Sequence, residues 1–224
     1  SFFTGVDMLN TTLPRKISFT HAEFMVFSED LAKSGLVGEY IAPIKRFVEI
    51  RNSAHVFVSK GKAEDFLKEI KPFVGSTISK SFEIFIQESE NTGFFPHVTL
   101  QDFYSGLKSP YYQPIAILAA INDFKAFQKD GESQTQTPKF NSGGNYVAGG
   151  LPRMGENKIE LFGSAVFNGD AMVETLSGDE TRYMLMARGK FERGFFTIQD
   201  PTSPELIIPL DITTAGEPKI TIST

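Results

Sequence analysis

The 224-residue chain contains no cysteine and no tryptophan. Without cysteine there is no disulfide framework, no thiol nucleophile and no thiolate metal site, and the redox compartment stays open. No run approaches the roughly 20 consecutive apolar residues that a membrane-spanning helix needs. The sequence opens at Ser1 with neither a charged segment nor an apolar stretch behind it, so no signal peptide is expected in these residues. The lack of an initiating methionine suggests a trimmed fragment. Acidic residues outnumber basic ones, 27 to 22, for a formal net charge of -5. That balance argues against a nucleic acid or an anionic membrane surface held by charge. Catalytic signatures are missing as well: no GxSxG, no HExxH, no Walker A loop and no GxGxxG following a strand.

Phenylalanine is abundant, with 22 copies against 6 tyrosines, and core filling is the reading of that excess. The length suits one large domain or two modest ones, each with its own core. Residues 1–15 read as irregular, with Pro14 barring a helix through them. Strands are expected over 17–28, 54–58 and 115–121, the last too continuously apolar to be half exposed and so buried, with a parallel neighbour. Helical spacing marks 29–33, 36–48, 63–70, 78–88 and 98–107. The stretch 129–145 is poor in bulky apolar residues and rich in Gly, Ser, Thr and Gln, which marks a mobile surface loop or linker. Residues 146–148 are a candidate final strand before it gives way to the second unit.

The segment 158–196 carries the clearest local signals. Ile159, Leu161 and 165–167 form a strand interrupted by Gly163, as at a bulge. Asn168-Gly169 is a two-residue hairpin turn, and Met172, Val173 and Leu176 make the return strand. Ser177 and Glu180 have capping-box spacing at the start of a helix that runs to Arg188, where Gly189 ends it. Another strand is expected at 195–198, and short ones at 206–212 and 220–222. The fold class is therefore α+β, two domains with mixed β-sheets flanked by helices. The expected division is an N-terminal α+β domain over 1–150, a small hairpin–helix–strand domain over 157–206, and the start of a truncated third domain or C-terminal strands over 207–224.

Chemistry is hard to find in this pattern. His21, His55 and His97 are isolated in sequence, and each is read as a satisfied strand or cap residue; no metal, cofactor or catalytic residue is expected. Asp179 and Glu180 sit in a first helical turn, where the helix dipole favours negative charge without any acid–base role. The lysines at 60, 62, 68 and 71 alternate with Glu64, Asp65 and Glu69 as a solvated helix face. Arg46, Glu49 and Arg51 cluster at a helix end, and three charges in six residues cannot all face a core. Ile50 is the inward residue. The trio is either an intradomain Glu–Arg brace or a candidate partner contact, a setting in which arginine is enriched.

Two blocks resemble a known family. GSAVFNGDAMVETLSGDETR, through Gly163, Ala165, Val166, Phe167, Asp170, Met172, Val173, Leu176, Glu180, Thr181 and Arg182, is similar to the G-x-A-V-F-x-x-D-x-(L/M)-V-x-x-L-x-x-x-E-T-R pattern of the Ger(x)C spore germination lipoproteins. The earlier block, from EDLAKSG through RFVEIR to HVFVSKGKAEDFL, resembles the same family through Arg46, Glu49, Ile50, Arg51, Val58, Gly61 and Ala63. The order of the blocks and the low-complexity gap between them agree with it. The resemblance implies a non-enzymatic C subunit of a spore nutrient germinant receptor. It would be a peripheral lipoprotein on the outer surface of the spore inner membrane, with membrane-embedded A and B subunits as partners. The family's N-terminal lipid-bearing cysteine is not in this chain, and its third domain would begin near Ile207. The competing readings are a lipid-anchored small-molecule binding module, which a pocket with convergent polar groups would favour, and an enzyme with an unrecognised site.

Overall fold

The computed structural model describes residues 2–46, 49–71, 78–122, 144–151, 157–200, 202–203 and 207–214. In chain order the elements are α1 (Phe2–Asn10), β1 (Phe24–Ser28), α2 (Glu29–Lys33), α3 (Val37–Arg46), β2 (His55–Ser59), α4 (Ala63–Glu69), α5 (Ile78–Thr92), α6 (Leu100–Lys108) and β3 (Ile115–Ile121). They continue with β4 (Ile159–Asn168), β5 (Ala171–Leu176), α7 (Gly178–Ala187), β6 (Arg193–Gln199) and β7 (Ile207–Thr213). The class is α+β, with a mixed five-stranded sheet in the order β1-β2-β3-β4-β5 and a two-stranded β6-β7 sheet.

β1, β2 and β3 run parallel, each step made by helices that return the chain, and β4 and β5 then add antiparallel. The continuous apolar run of β3 has a direct cause, since successive strand side chains point to opposite faces and both faces here are covered. Ala116, Leu118 and Ala120 join one core with Val56, Val58, Ile41 of α3 and Phe103 of α6. Ile117 and Ala119 join the other, with Phe57, Phe66 of α4 and Phe82 of α5. The phenylalanine excess is largely core: Phe103 meets Phe167 edge-on at 5.0 Å, and Phe24 stacks on Phe82 at 4.8 Å.

Several expectations need correction. The chain begins with helix α1 rather than an irregular stretch, because Pro14 restricts only its immediate neighbourhood. The helix has ended by Asn10, and the Thr11 and Thr12 hydroxyls donate to the carbonyls of Met8 and Leu9. The first strand is confined to Phe24–Ser28, because its partner β2 starts opposite at His55 and residues 19–22 close a turn through Ala22 N–H to Phe19 O. Residues 146–148 are not a strand. They lie beside β4 and α7 through single backbone bonds, Ala148 N–H to Phe162 O and Gly178 N–H to Tyr146 O.

The expected partition is also redrawn. The 157–206 hairpin is not separate from the 1–150 body, since β4 pairs with β3 from Ile115↔Val166 to Ile121↔Ile159 and so completes the first sheet. The expected boundary at 206/207 divides strands that pair, because β6 finds its partner in β7 across the whole of Arg193–Gln199. The segment 129–143 of the expected loop, residues 152–156 and the expected strand at 220–222 lie outside the described residues.

Candidate functional site

Much of the motif stretch 163–182 is framework, and its glycines, cap and buried polar residues have physical reasons. Gly163 has φ +80°, its N–H donates to Phe94 O at 2.8 Å, and a Cβ there would collide with the Leu176 carbonyl. Gly169 turns the hairpin at φ +59°, with its N–H on Gln113 Oε1 at 2.7 Å. The Asp170 carboxylate packs where Gly38 of α3 leaves room for it. Ser177 and Glu180 form the reciprocal capping box, Glu180 N–H to Ser177 Oγ at 3.3 Å and Ser177 N–H to Glu180 Oε2 at 2.8 Å. The buried hydroxyls of Thr181 and Ser164 are 2.9 Å apart. The far end of α7 closes with Lys190 N–H on Leu185 O and Gly189 N–H on Met186 O, with Gly189 at φ +65°. Asp179, one half of the notional acid–base pair, accepts from Gly144 N–H at 2.6 Å.

Arg182 is the centre of this framework. Its side chain is 4% exposed, and its guanidinium lies between the rings of Phe94 and Phe196, 4.1 and 4.0 Å from their centroids. Nε donates to Thr92 O at the end of α5 (2.9 Å), Nη2 to Phe195 O of β6 (2.7 Å), and Nη1 is 3.9 Å from Asp179 Oδ1. One planar cation thus ties α5, α7 and β6 together. Burial lowers its pKa from the ordinary arginine value, with the Asp179 carboxylate opposing that shift.

Beside this clamp lies a crevice of about 550 Å³, bounded by the end of α5, the 95–98 segment, α6, residues 112–115 and the 188–192 segment. Its floor is apolar and built from core residues, namely Phe95, Val98, Ile115, Leu185 and Phe191. Its charges come from separate elements. Arg188 and Lys190 follow α7, whereas Glu90 is on α5 and Asp102 on α6. Arg188 Nη2 donates to Gln113 O at 2.9 Å, and burial lowers the pKa of its guanidinium. Among the described residues neither Arg188 nor Lys190 has a carboxylate within ion-pair distance. Sequence patterns gave no sign of this crevice, because its walls come from segments nearly a hundred residues apart that meet only in the fold.

The charged trio expected from sequence is divided by the fold. Arg46 and Arg51 are exposed, Glu49 is half-buried with Oε2 3.5 Å from Phe19 N–H, and Ile50 is buried in the core as expected. No Glu49–Arg ion pair forms among the described residues, so the brace reading does not hold. Arg51 lines a second crevice with Glu23, Glu83 and His55.

Two of the supposedly isolated histidines meet. A single antiparallel bridge sets His55 opposite Thr99 and brings the His55 and His97 rings to 5.0 Å, with His97 Nδ1 3.8 Å from Glu90 Oε1. Burial, aided by His97, lowers the pKa of His55 to about 4. No group of three His, Asp or Glu side chains able to hold a metal occurs among the described residues. No helix among them is long and apolar enough to cross a membrane.

Fold and site together define an α+β scaffold whose signature residues hold elements together rather than converge on reacting atoms. Residues 1–121 match the family described as "Spore germination protein N-terminal domain", and residues 162–224 match "Spore germination B3/ GerAC like, C-terminal". The chain therefore belongs to the GerAC-like family of spore germination proteins. It also shares its fold with a solved structure described as "Crystal Structure of the GerBC protein", at TM-score 0.50 and 14% identity, over 92% of this chain. The match covers 48% of that protein, so the chain spans about half its length. No curated protein sequence matches the chain.

Proposed function

We propose that this protein is a non-enzymatic C subunit of a spore nutrient germinant receptor. In this reading it is held at the outer surface of the spore inner membrane by an N-terminal lipid beyond these residues, and it works through contacts with membrane-embedded A and B subunits. The observation that carries the reading is family membership extending over both halves of the chain. The chemistry agrees with it, because the family-pattern residues from Gly163 to Arg182 are spent on turns, caps and the Arg182 clamp. A single acyl chain gives only marginal membrane binding, so protein contacts would have to add to it.

Arg46 and Arg51 are the candidate contact residues, with Glu49 beside them, because two exposed arginines that have no ion partner among the described residues suit a polar interface. The test is co-purification of the A and B subunits with the tagged full-length protein from a sporulating host. Arg46→Glu and Arg51→Glu should reduce recovery and slow germination while leaving the melting temperature unchanged. Loss of melting temperature together with germination would make them struts. A second reading, a small-molecule binding module, is favoured by one observation, the 550 Å³ crevice with its apolar floor and with Arg188 and Lys190 on its wall.

A further inference from the structure

We infer that the crevice between α5, α6 and the end of α7 binds a dipolar ligand of about dipeptide size, its carboxylate on Arg188 and Lys190 and its ammonium toward Glu90 and Asp102. The inference rests on the binding-module reading, and the contacts proposed for Arg46 and Arg51 stand or fall separately.

Four features of the site support it. The volume, about 550 Å³, falls within the range of small-ligand pockets and exceeds what a single small amino acid fills. The floor of Phe95, Val98, Ile115, Leu185 and Phe191 offers apolar surface that a bound side chain would cover. Arg188 Nη2 is engaged on Gln113 O, which restrains the side chain and leaves its other N–H groups to offer a ligand. A restrained guanidinium loses less freedom on meeting a carboxylate, and with Lys190 two residues on, the α7 side of the crevice carries two cations that have no carboxylate within ion-pair distance among the described residues.

The opposite sign comes from the other elements. Among the described residues Glu90 pairs with His97 alone, at 3.8 Å, and Asp102 uses one oxygen, Oδ2, for the Thr99 N–H and hydroxyl. Glu192 is the one carboxylate on the α7 side, and it forms no ion pair with Lys190. A purely anionic ligand would meet Glu90, Asp102 and Glu192 uncompensated, and a purely cationic one would meet Arg188 and Lys190. A ligand carrying both charges meets neither penalty.

The probe is the free dipeptide Leu-Leu, titrated calorimetrically into the whole chain, with N-acetyl-Leu-Leu and Leu-Leu-amide as single-charge controls. Saturable binding of the zwitterion is expected, with about tenfold weaker binding of each control, the usual loss for one charge-assisted hydrogen bond. Arg188→Gln and Lys190→Gln should each weaken the zwitterion by a similar factor and should leave the amide unaffected. Lys190 is exposed and its ammonium makes no hydrogen bond or ion pair among the described residues, so its variant stays informative if Arg188→Gln misfolds. Absence of binding, equal binding of the zwitterion and the amide, or indifference to Lys190→Gln would each overturn the inference. None of those results touches co-purification with A and B subunits, and a failed co-purification leaves the titration intact.

Discussion

Arg182 Nη2 donates to the carbonyl of Phe195 at 2.7 Å, and this bond crosses from α7 to β6, linking the five-stranded body to the two-stranded sheet. The same guanidinium lies on Phe196 and caps Thr92 O, so three elements depend on one side chain. Replacement by Ala would leave two carbonyls and a slot between rings unfilled, at a cost of about 3–4 kcal/mol. Lys should rescue little, because an ammonium has neither the planar fork nor the flat face that fits between Phe94 and Phe196. Urea unfolding measures both variants. An Arg182→Lys protein as stable as the parent would show that the clamp contributes nothing beyond its charge.

Glycines in the same hairpin should differ in their tolerance. Gly169 has open space where a Cβ would go, so Gly169→Ala pays mainly the left-handed backbone cost of about 1 kcal/mol. Gly163 has the same backbone sign but a carbonyl in the way, so Gly163→Ala should cost about 3 kcal/mol. Ser177→Ala should cost about 1 kcal/mol, a typical lost N-cap. Thermal melts rank the three, and equal values for the two glycines would contradict the close approach of β4 to Leu176.

Much of this was legible because it is local. The Asn168-Gly169 turn, the Ser177–Glu180 box and the Gly189 stop are written within a few residues of each other, and each forms as the pattern requires. The buried character of β3 was legible for the same reason. What could not be read was register. Thr92 and Arg182 are 90 residues apart, and nothing near either one announces the other. His55 and His97 meet where β2 bridges to Thr99, and the crevice walls, at 89–98 and 185–192, are far apart in sequence. Composition marks where a chain is polar, whereas strand pairing decides which sheet a strand joins, and β4 and β5 join the sheet begun by β1, β2 and β3.

The His55 environment predicts a definite pH dependence. An unfolded histidine titrates near 6.5, whereas His55 in the fold is lowered to about 4 by burial and then by His97, with Asp102 acting the other way. Glu23 and Glu83 line the same crevice as His55. Between those pH values the unfolded chain holds a proton that the native state refuses, so stability is full above pH 6.5 and declines as pH falls toward 4. Allowing for partial exposure, the loss should be about 2 kcal/mol. His55→Gln removes the titration, and its urea midpoint should change less between pH 7.5 and 5 than that of the parent. Equal slopes would place the pH dependence on other groups.

The last prediction follows from the β3–β4 pairing. The segment 129–145 has the polar, glycine-rich composition that proteases favour, and a cut there separates β3 from β4 in sequence. In the folded protein these strands pair over Ile115–Ile121 and Ile159–Val166, with Ile117, Ala119, Ile159 and Leu161 sharing one core. The Arg182 bond to Thr92 adds a second link across the cut. Limited proteolysis should therefore give two bands on a denaturing gel and one species of parental size on native gel filtration. Raising urea should release the two pieces together, in one transition, because the cut divides the five-stranded sheet between them. Fragments that separate in buffer and each retain a cooperative melt would restore two independent domains, and the shared sheet would then be too weak to define the folding unit.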